Sequence, residues 1–455
     1  MQLFSILLLT VRFFFAIPQT PVTNSPFVVK PYIQLGEAAA LSKRESLVLA
    51  WQSPVAPSEW AVEVMRSGET KWSRTTPPES RRIAIPSIEP HMLYKTTLSD
   101  LPPGLDFSYR ILMDGKPIFE SKARARKSAL QPYRVVVFGD CAEGTPGEKQ
   151  NAYQTSLLNP DFVFIPGDIV YTHGSISEYR KNFFPVYNSD KASPEVGAPL
   201  QRSTLFMAAV GNHDVDGRDL GAVPDGMAYF YYWFQPLNGP SFPINAPQTP
   251  SVKGPSENTL PFLTAALPQY PRMANYSFEY GNTHWTVLDS NPYTDWTKPP
   301  LRDWLEKDLA SAQSSTWRVV TFHHPGLGAA FRPDDPRMQQ VAAIMAKGRV
   351  DIVFNGHLHT YFCSRPIKYD GAWAFDGTYD GVKKTKPEGT IYVISGAGGA
   401  HLHEMTKEMM MMNLLARKSI PGKHSLTVAD VKGRMMTIRQ IGTDGKEIDR
   451  FVVTK

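Results

Sequence analysis

The chain has 455 residues, 42% of them hydrophobic, and a formal net charge of +5. That length exceeds one simple core and predicts two domains, or one large domain with an appendage. So small a net charge, with no dense Lys/Arg block, argues against a nucleic-acid partner, and only two cysteines, Cys141 and Cys363, exclude a disulfide scaffold while leaving open one bridge between them.

Residues 1–20 open on an apolar run at 3–16 and are predicted to be a secretory signal. No basic residue precedes the run and Arg12 interrupts it, so a buried first strand or a membrane anchor competes with that reading. No later stretch is long and apolar enough to span a bilayer. The expected location is secreted or periplasmic. Residues 27–125 carry short alternating runs, such as SLVLAWQS (46–53) and WAVEVMRS (60–67), separated by Pro, Gly and Ser. They predict an antiparallel β-sandwich. The basic, polar segment 122–132 reads as a linker. From Tyr133 the texture changes to buried β-branched strands alternating with helical segments at 302–310 and 336–347, an α/β pattern extending over 132–455. Residues 217–275, rich in Pro and aromatics (MAYFYYWFQPLNGPSFP, 227–243), predict an ordered insertion or lid rather than core. In the irregular stretch 401–423, the methionine run 409–412 predicts adaptable packing.

In α/β sheets, ligands sit beyond the carboxyl ends of strands. Here those ends read GDC (Asp140), GDIVY (Asp168, Tyr171), GNHD (Asn212, His213, Asp214), FHHP (His323, His324) and NGHLH (His357, His359). Each residue alone has an ordinary explanation: a cap, a turn or a satisfied histidine. So many ligand types at strand ends of one region point to metal. Three imidazoles, two carboxylates, an amide and a phenol are too many for one open tetrahedral site, so two ions are expected, with one Asp bridging them. Alternate residues of an extended segment face the same way, so His357 and His359 can serve neighbouring ions.

The ordered series GD…GDxxY…GNH[DE]…HxP…GHxH resembles the calcineurin-like metallophosphoesterases. The tyrosine of GDIVY makes it similar to the purple acid phosphatase branch. The resemblance implies a fibronectin type III-like sandwich followed by a two-sheet β core flanked by helices. It implies a ferric site of Asp140, Asp168, Tyr171 and His359, and a divalent site (Zn, Mn or Fe(II)) of Asp168, Asn212, His323 and His357. Hard carboxylate and phenolate oxygens suit the ferric ion, while imidazole and amide suit the divalent one. His324 is the alternative ligand or a substrate-side residue. Asn212 and His213 would contact the phosphate, His213 would contact or protonate the leaving oxygen, and Asp214 would orient His213. A turn residue is the other reading of Asp214.

The implied activity is hydrolysis of small phosphate monoesters by a metal-activated hydroxide. A phosphodiesterase or nucleotide hydrolase with the same metals is the second reading; the aromatic run 227–243 could stack a base or aryl group, though most aromatics in such loops only pack the loop. A non-catalytic phosphate-binding or adhesion protein is the third. Three features depart from the family. Asp214 stands where the family motif often has Glu. The stretch after His-x-Pro, GLGAAFRPDD (326–335), has no leaving-group histidine and offers only Arg332. Cys141 follows Asp140 directly, as a packed thiol, a disulfide partner or a thiol beside the metals. The sandwich is expected to frame the cleft, with a partner, wall or glycan surface as the alternative.

Overall fold

The computed structural model describes residues 25–326, 338, 341–369, 373–403 and 416–455. The expected signal at 1–20, Arg332 and the methionines 409–412 lie outside the described residues.

The N-terminal region folds as two four-stranded antiparallel sheets. One orders Val29–Gln34, Glu45–Pro54, His91–Leu101 and Glu79–Ile83; the other orders Ser73–Arg74, Trp60–Met65, Asp106–Met113 and Lys116–Arg124. Alternation of apolar residues drives the pairing. Leu47, Leu49 and Trp51 point inward from one sheet, and Val62, Val64, Tyr109 and Ile111 from the other. Trp51 stacks on Tyr94 at 5.2 Å. Each such side chain, fully buried, contributes roughly 1.5–3 kcal/mol.

The segment expected to be a linker is partly core. Lys122–Arg124 completes a strand, and Arg126 is only 1% exposed. Its Nε donates to Glu45 Oε2 at 2.6 Å, and its Nη groups donate to the carbonyls of Ala39, Ala40 and Glu279. A buried guanidinium is tolerated only when its donors are satisfied in this way. The bond to Glu279 fastens the sandwich to the second region.

That region holds two sheets face to face. The six-stranded sheet runs Leu205–Ala208, Phe162–Ile165, Tyr133–Val137, Ser425–Lys432, Met435–Gly442, Glu447–Thr454. The seven-stranded sheet runs Tyr276–Tyr280, Thr283–Val287, Trp317–Thr321, Ile352–Asn355, Ile391–Ser395, Tyr361–Ser364, Ala416–Ile420. The first three strands of the six are parallel, as are the four consecutive strands from Thr283–Val287 to Ile391–Ser395 in the seven. Parallel strands covered on both faces need continuous apolar runs, which VVV, FVFI and IVF supply. Between the sheets, Phe164 stacks on Trp285 (5.5 Å) and Trp285 on Phe354 (6.0 Å). The helix expected at 302–310 is present as Pro299–Ser311, burying Leu301, Leu305 and Leu309 at i, i+4 and i+8. Of the one expected at 336–347, the described part is Ala342–Lys347.

The insertion departs from its reading. Tyr229, Phe230, Tyr231, Tyr232, Trp233 and Phe234 are all buried. Trp233 Nε1 donates to Tyr179 Oη, Phe230 packs on Tyr270, and Tyr231 packs on Phe262. Tyr32 Oη donates to the Tyr232 carbonyl, and Arg81 donates to the Ala265 carbonyl. The aromatic run is therefore core and inter-region packing, not a stacking platform. Its burial comes from elements distant in sequence, which periodicity does not report.

Candidate dinuclear metal centre

Asp140, Asp168, Asn212 and His357 each leave a strand end directly after a glycine. Asp140, Asp168 and His357 sit in left-handed backbone, with φ of 56°, 50° and 69°. Such values in non-glycine residues are strained and cluster at functional sites. Gly211 shows why the preceding residue is small: a Cβ there would lie 2.1 Å from the Asp168 nitrogen and carboxylate. At Gly356 a Cβ would lie 2.6 Å from Asp140 Oδ2.

The seven expected ligand residues converge. Tyr171 Oη lies 3.2 Å from Asp140 Oδ1, 3.3 Å from Asp168 Oδ2 and 3.0 Å from His359 Nε2. His323 Nε2 lies 3.1 Å from both Asp168 Oδ2 and Asn212 Oδ1. His357 Nδ1 lies 3.1 Å from the same amide oxygen. Asp140, Asp168 and His323 are buried. Asp140, Asp168 and His323 form one compact donor group, and His323, His324 and His357 a second that shares His323. His324 is thus itself a member of the second group. Its Nδ1 lies 2.9 Å from Ser290 Oγ, and its ring is 4.5 Å from that of His357.

Backbone carbonyls set the tautomers. His323 Nδ1 donates to the Pro166 carbonyl, and His359 Nδ1 to the His401 carbonyl, leaving Nε2 of each toward the cluster. The charges fit a cationic guest. Burial would raise the Asp168 pKa, but His323, His213 and the His213 N–H hold it well below the usual carboxylate range. Burial opposes the His323 charge, yet Asp168 and Asp140 lift its pKa to about 9. Burial and then His323 lower His357 to about 4. Burial, then Asp140 and Asp168, keep the Tyr171 phenol protonated far above its ordinary range. Metal uptake would displace the protons of His323 and Tyr171. The donor set, the tautomer locks and the cradle that a Cβ would fill all fit two metal ions.

One expectation needs correction. Asp214 does not contact His213. Its Oδ1 accepts the Ile169 N–H at 3.0 Å and its Oδ2 accepts the Gly211 N–H at 2.8 Å, clamping the Asp168 loop to the Asn212 loop. His213 is oriented instead by the Thr172 carbonyl, 2.7 Å from Nδ1, with its ring over Tyr171 at 4.5 Å. The GNHD spacing suggested adjacency, but neighbouring residues in this turn point opposite ways. Cys141 and Cys363 are both free and buried. Cys141 is a packed thiol whose Sγ lies 3.3 Å from the Ile169 carbonyl, and burial pushes its pKa up, away from thiolate ligation.

The sequence reading missed His403, whose ring stacks on His359 at 3.9 Å and 12°. The signal was present in His401-Leu402-His403, a second His-x-His spacing.

Residues 133–361 match the family model of the calcineurin-like phosphoesterases. The chain belongs to that family, and within it is purple acid phosphatase-like. It is 25% identical over 428 residues to the probable inactive purple acid phosphatase 27 of Arabidopsis thaliana, covering 84% of this chain and 63% of that protein. It is 25% identical over 362 residues to a nucleotide pyrophosphatase/phosphodiesterase of Hordeum vulgare, covering 74% of this chain and 86% of that one. The chain thus spans about three-fifths of the first relative's length. The purple acid phosphatase PPD1 of yellow lupin superposes with a TM-score of 0.67 at 19% identity, over 93% of this chain and 74% of that one. PhoD superposes at 0.61 with 13% identity, over 96% and 92%. These likenesses establish the shared fold. No helix among the described residues is long and apolar enough to cross a membrane.

Proposed function

We propose that the chain hydrolyses small phosphate monoesters at a dinuclear centre of Fe(III) and a divalent Zn, Mn or Fe(II). The observation that carries this is the convergence of Tyr171 Oη on Asp140, Asp168 and His359, at 3.0–3.3 Å, beside the His323–Asn212–His357 group. Asp140, Asp168, Tyr171 and His359 would hold the ferric ion, and Asp168, Asn212, His323 and His357 the divalent one. The chemistry such a pair supplies is activation of water and neutralisation of charge on the phosphoryl group.

The chain's own residues do the rest. The Thr172 carbonyl accepts the Nδ1 proton of His213, so Nε2 faces the cluster, 4.0 Å from Asp168 Oδ2. His213 binds a phosphoryl oxygen there or, as imidazolium, passes a proton to the leaving oxygen. Ser290 fixes His324 beside His357. Asp214 holds the Asp168 and Asn212 loops in register.

The barley relative's name supports a second reading, cleavage of phosphodiesters or nucleotides by the same centre. Burial of the 229–234 aromatics removes its base-stacking platform. The names of some relatives carry the word inactive, but the sequence retains every expected ligand type, which supports catalysis over the non-catalytic reading. Export through the 1–20 segment, a fibronectin type III-like identity for 27–125 and a catalytic region at 132–455 complete the proposal. The test is turnover of p-nitrophenyl phosphate against bis-p-nitrophenyl phosphate by metal-reconstituted protein. Faster monoester turnover, abolished by chelation and by Asp168→Asn, is the expected result. Preferential diester cleavage supports the second reading, and no turnover of either refutes both.

A further inference from the structure

A cavity of about 690 Å³ lies at the end of the seven-stranded sheet opposite the metal centre. Its floor includes Thr316, Val350 and Asp351, which precede the strands Trp317–Thr321 and Ile352–Asn355. His323 and His357 follow the other ends of the same strands. At about 3.3 Å per residue, the two sites are roughly 20 Å apart.

Six cationic side chains line this cavity: Arg318, Arg349, Lys368, Lys386, Arg434 and Lys455. They face one lining side-chain carboxylate, Asp351. That carboxylate is already engaged, accepting the Arg318 backbone N–H at 2.9 Å and pairing with Lys455 at 2.8 Å. Arg318 is 5% exposed, and its guanidinium meets only the carbonyls of Ala312 and Gln313. Lys368 pairs with Glu388. Arg434 commits its Nε to the Lys455 carbonyl at 3.1 Å. Among the described residues, Arg349 and Lys386 have no carboxylate partner. The buried Arg318, hydrogen-bonded only to carbonyls, and the unpaired Arg349 and Lys386, in a concave wall of like charge, focus a positive potential on the cavity. The hydroxyls of Ser314 and Ser315 at its rim add donors. Guanidinium forks match phosphate oxygens, and the volume is that of a small-molecule site.

We infer that this cavity binds a small polyanion bearing two or more phosphate groups, separately from the metal centre. The inference does not depend on the proposed hydrolysis. The test is calorimetric titration of the full chain with inositol hexakissulfate, a polyanion that carries no phosphoryl group. Saturable one-to-one binding, weakening with salt, is the expected result. Arg349→Glu with Lys386→Glu should weaken it by about tenfold or more, while turnover of a small phosphate ester stays at the parent value. The milder Arg349→Ala with Lys386→Ala should weaken it in the same direction, which separates charge from any folding defect. Displacement by tripolyphosphate identifies condensed inorganic phosphate as the source. Displacement by inositol hexakisphosphate alone identifies a phosphorylated organic molecule. Absence of saturable binding, or equal binding by both double variants and the parent, overturns the inference.

Discussion

Replacing Asp214 with Asn separates two accounts of the GNHD motif. In the structure, Asp214 accepts two backbone N–H groups, from Ile169 at 3.0 Å and from Gly211 at 2.8 Å, and is 0% exposed. Asparagine keeps one acceptor and presents an NH₂ to the other N–H. One buried donor is then orphaned, at a cost of about 1–3 kcal/mol, and the facing N–H groups add repulsion. For a chain of this size that corresponds to a fall in Tm of roughly 1–3 °C. The loops released carry Asp168 and Asn212, so metal affinity should fall too. The assay is scanning calorimetry of metal-free and metal-loaded protein at pH 6, alongside metal stoichiometry. A lower Tm in both forms, with activity largely restored by excess metal, is expected. An unchanged Tm and metal content, with only kcat reduced, would refute the clamp and return Asp214 to a role acting through His213.

Gly211→Ala places a methyl 2.1 Å from Asp168. Backbone must shift, at about 1–3 kcal/mol or more, and metal retention measured by elemental analysis should fall sharply. His213→Ala should keep both metals and the Tm while lowering kcat about 10²–10⁴-fold, checked by steady-state kinetics with metal analysis. Glu148 is buried, and burial raises its carboxyl pKa to about 8. An acid whose folded pKa is raised is best tolerated below its unfolded pKa, about 4.3, and loses stability as pH rises toward 8. Glu148→Gln should therefore flatten the decline in stability between pH 5 and 8, read from urea unfolding across that range; an unchanged slope contradicts the assignment.

The ligand series was legible because each member sits in a short local motif at a strand end, most often a strand, a glycine and a ligand. The structure adds why the glycines are there, since a Cβ at Gly211 or Gly356 would occupy the space of a carboxylate. The features that orient the ligands were not legible. The carbonyls of Pro166, Thr172 and His401 carry no side-chain signature, yet they set three imidazoles. Arg126 looked like linker charge because its partner Glu45 lies 81 residues away. The aromatics at 229–234 looked like a lid because their burial comes from Tyr179, Phe262, Tyr270 and the sandwich. Local chemistry survives in one dimension, whereas packing between distant segments does not.

The most direct test is the metal content and visible absorption of the protein purified without chelators. The account predicts about two metals per chain, one of them iron, and a tyrosinate-to-iron absorption band that Tyr171→Phe abolishes. Two metals without iron would remove Tyr171 from the proposed ferric site. No retained metal, with no phosphatase activity after adding Fe, Zn or Mn, would contradict the dinuclear mechanism.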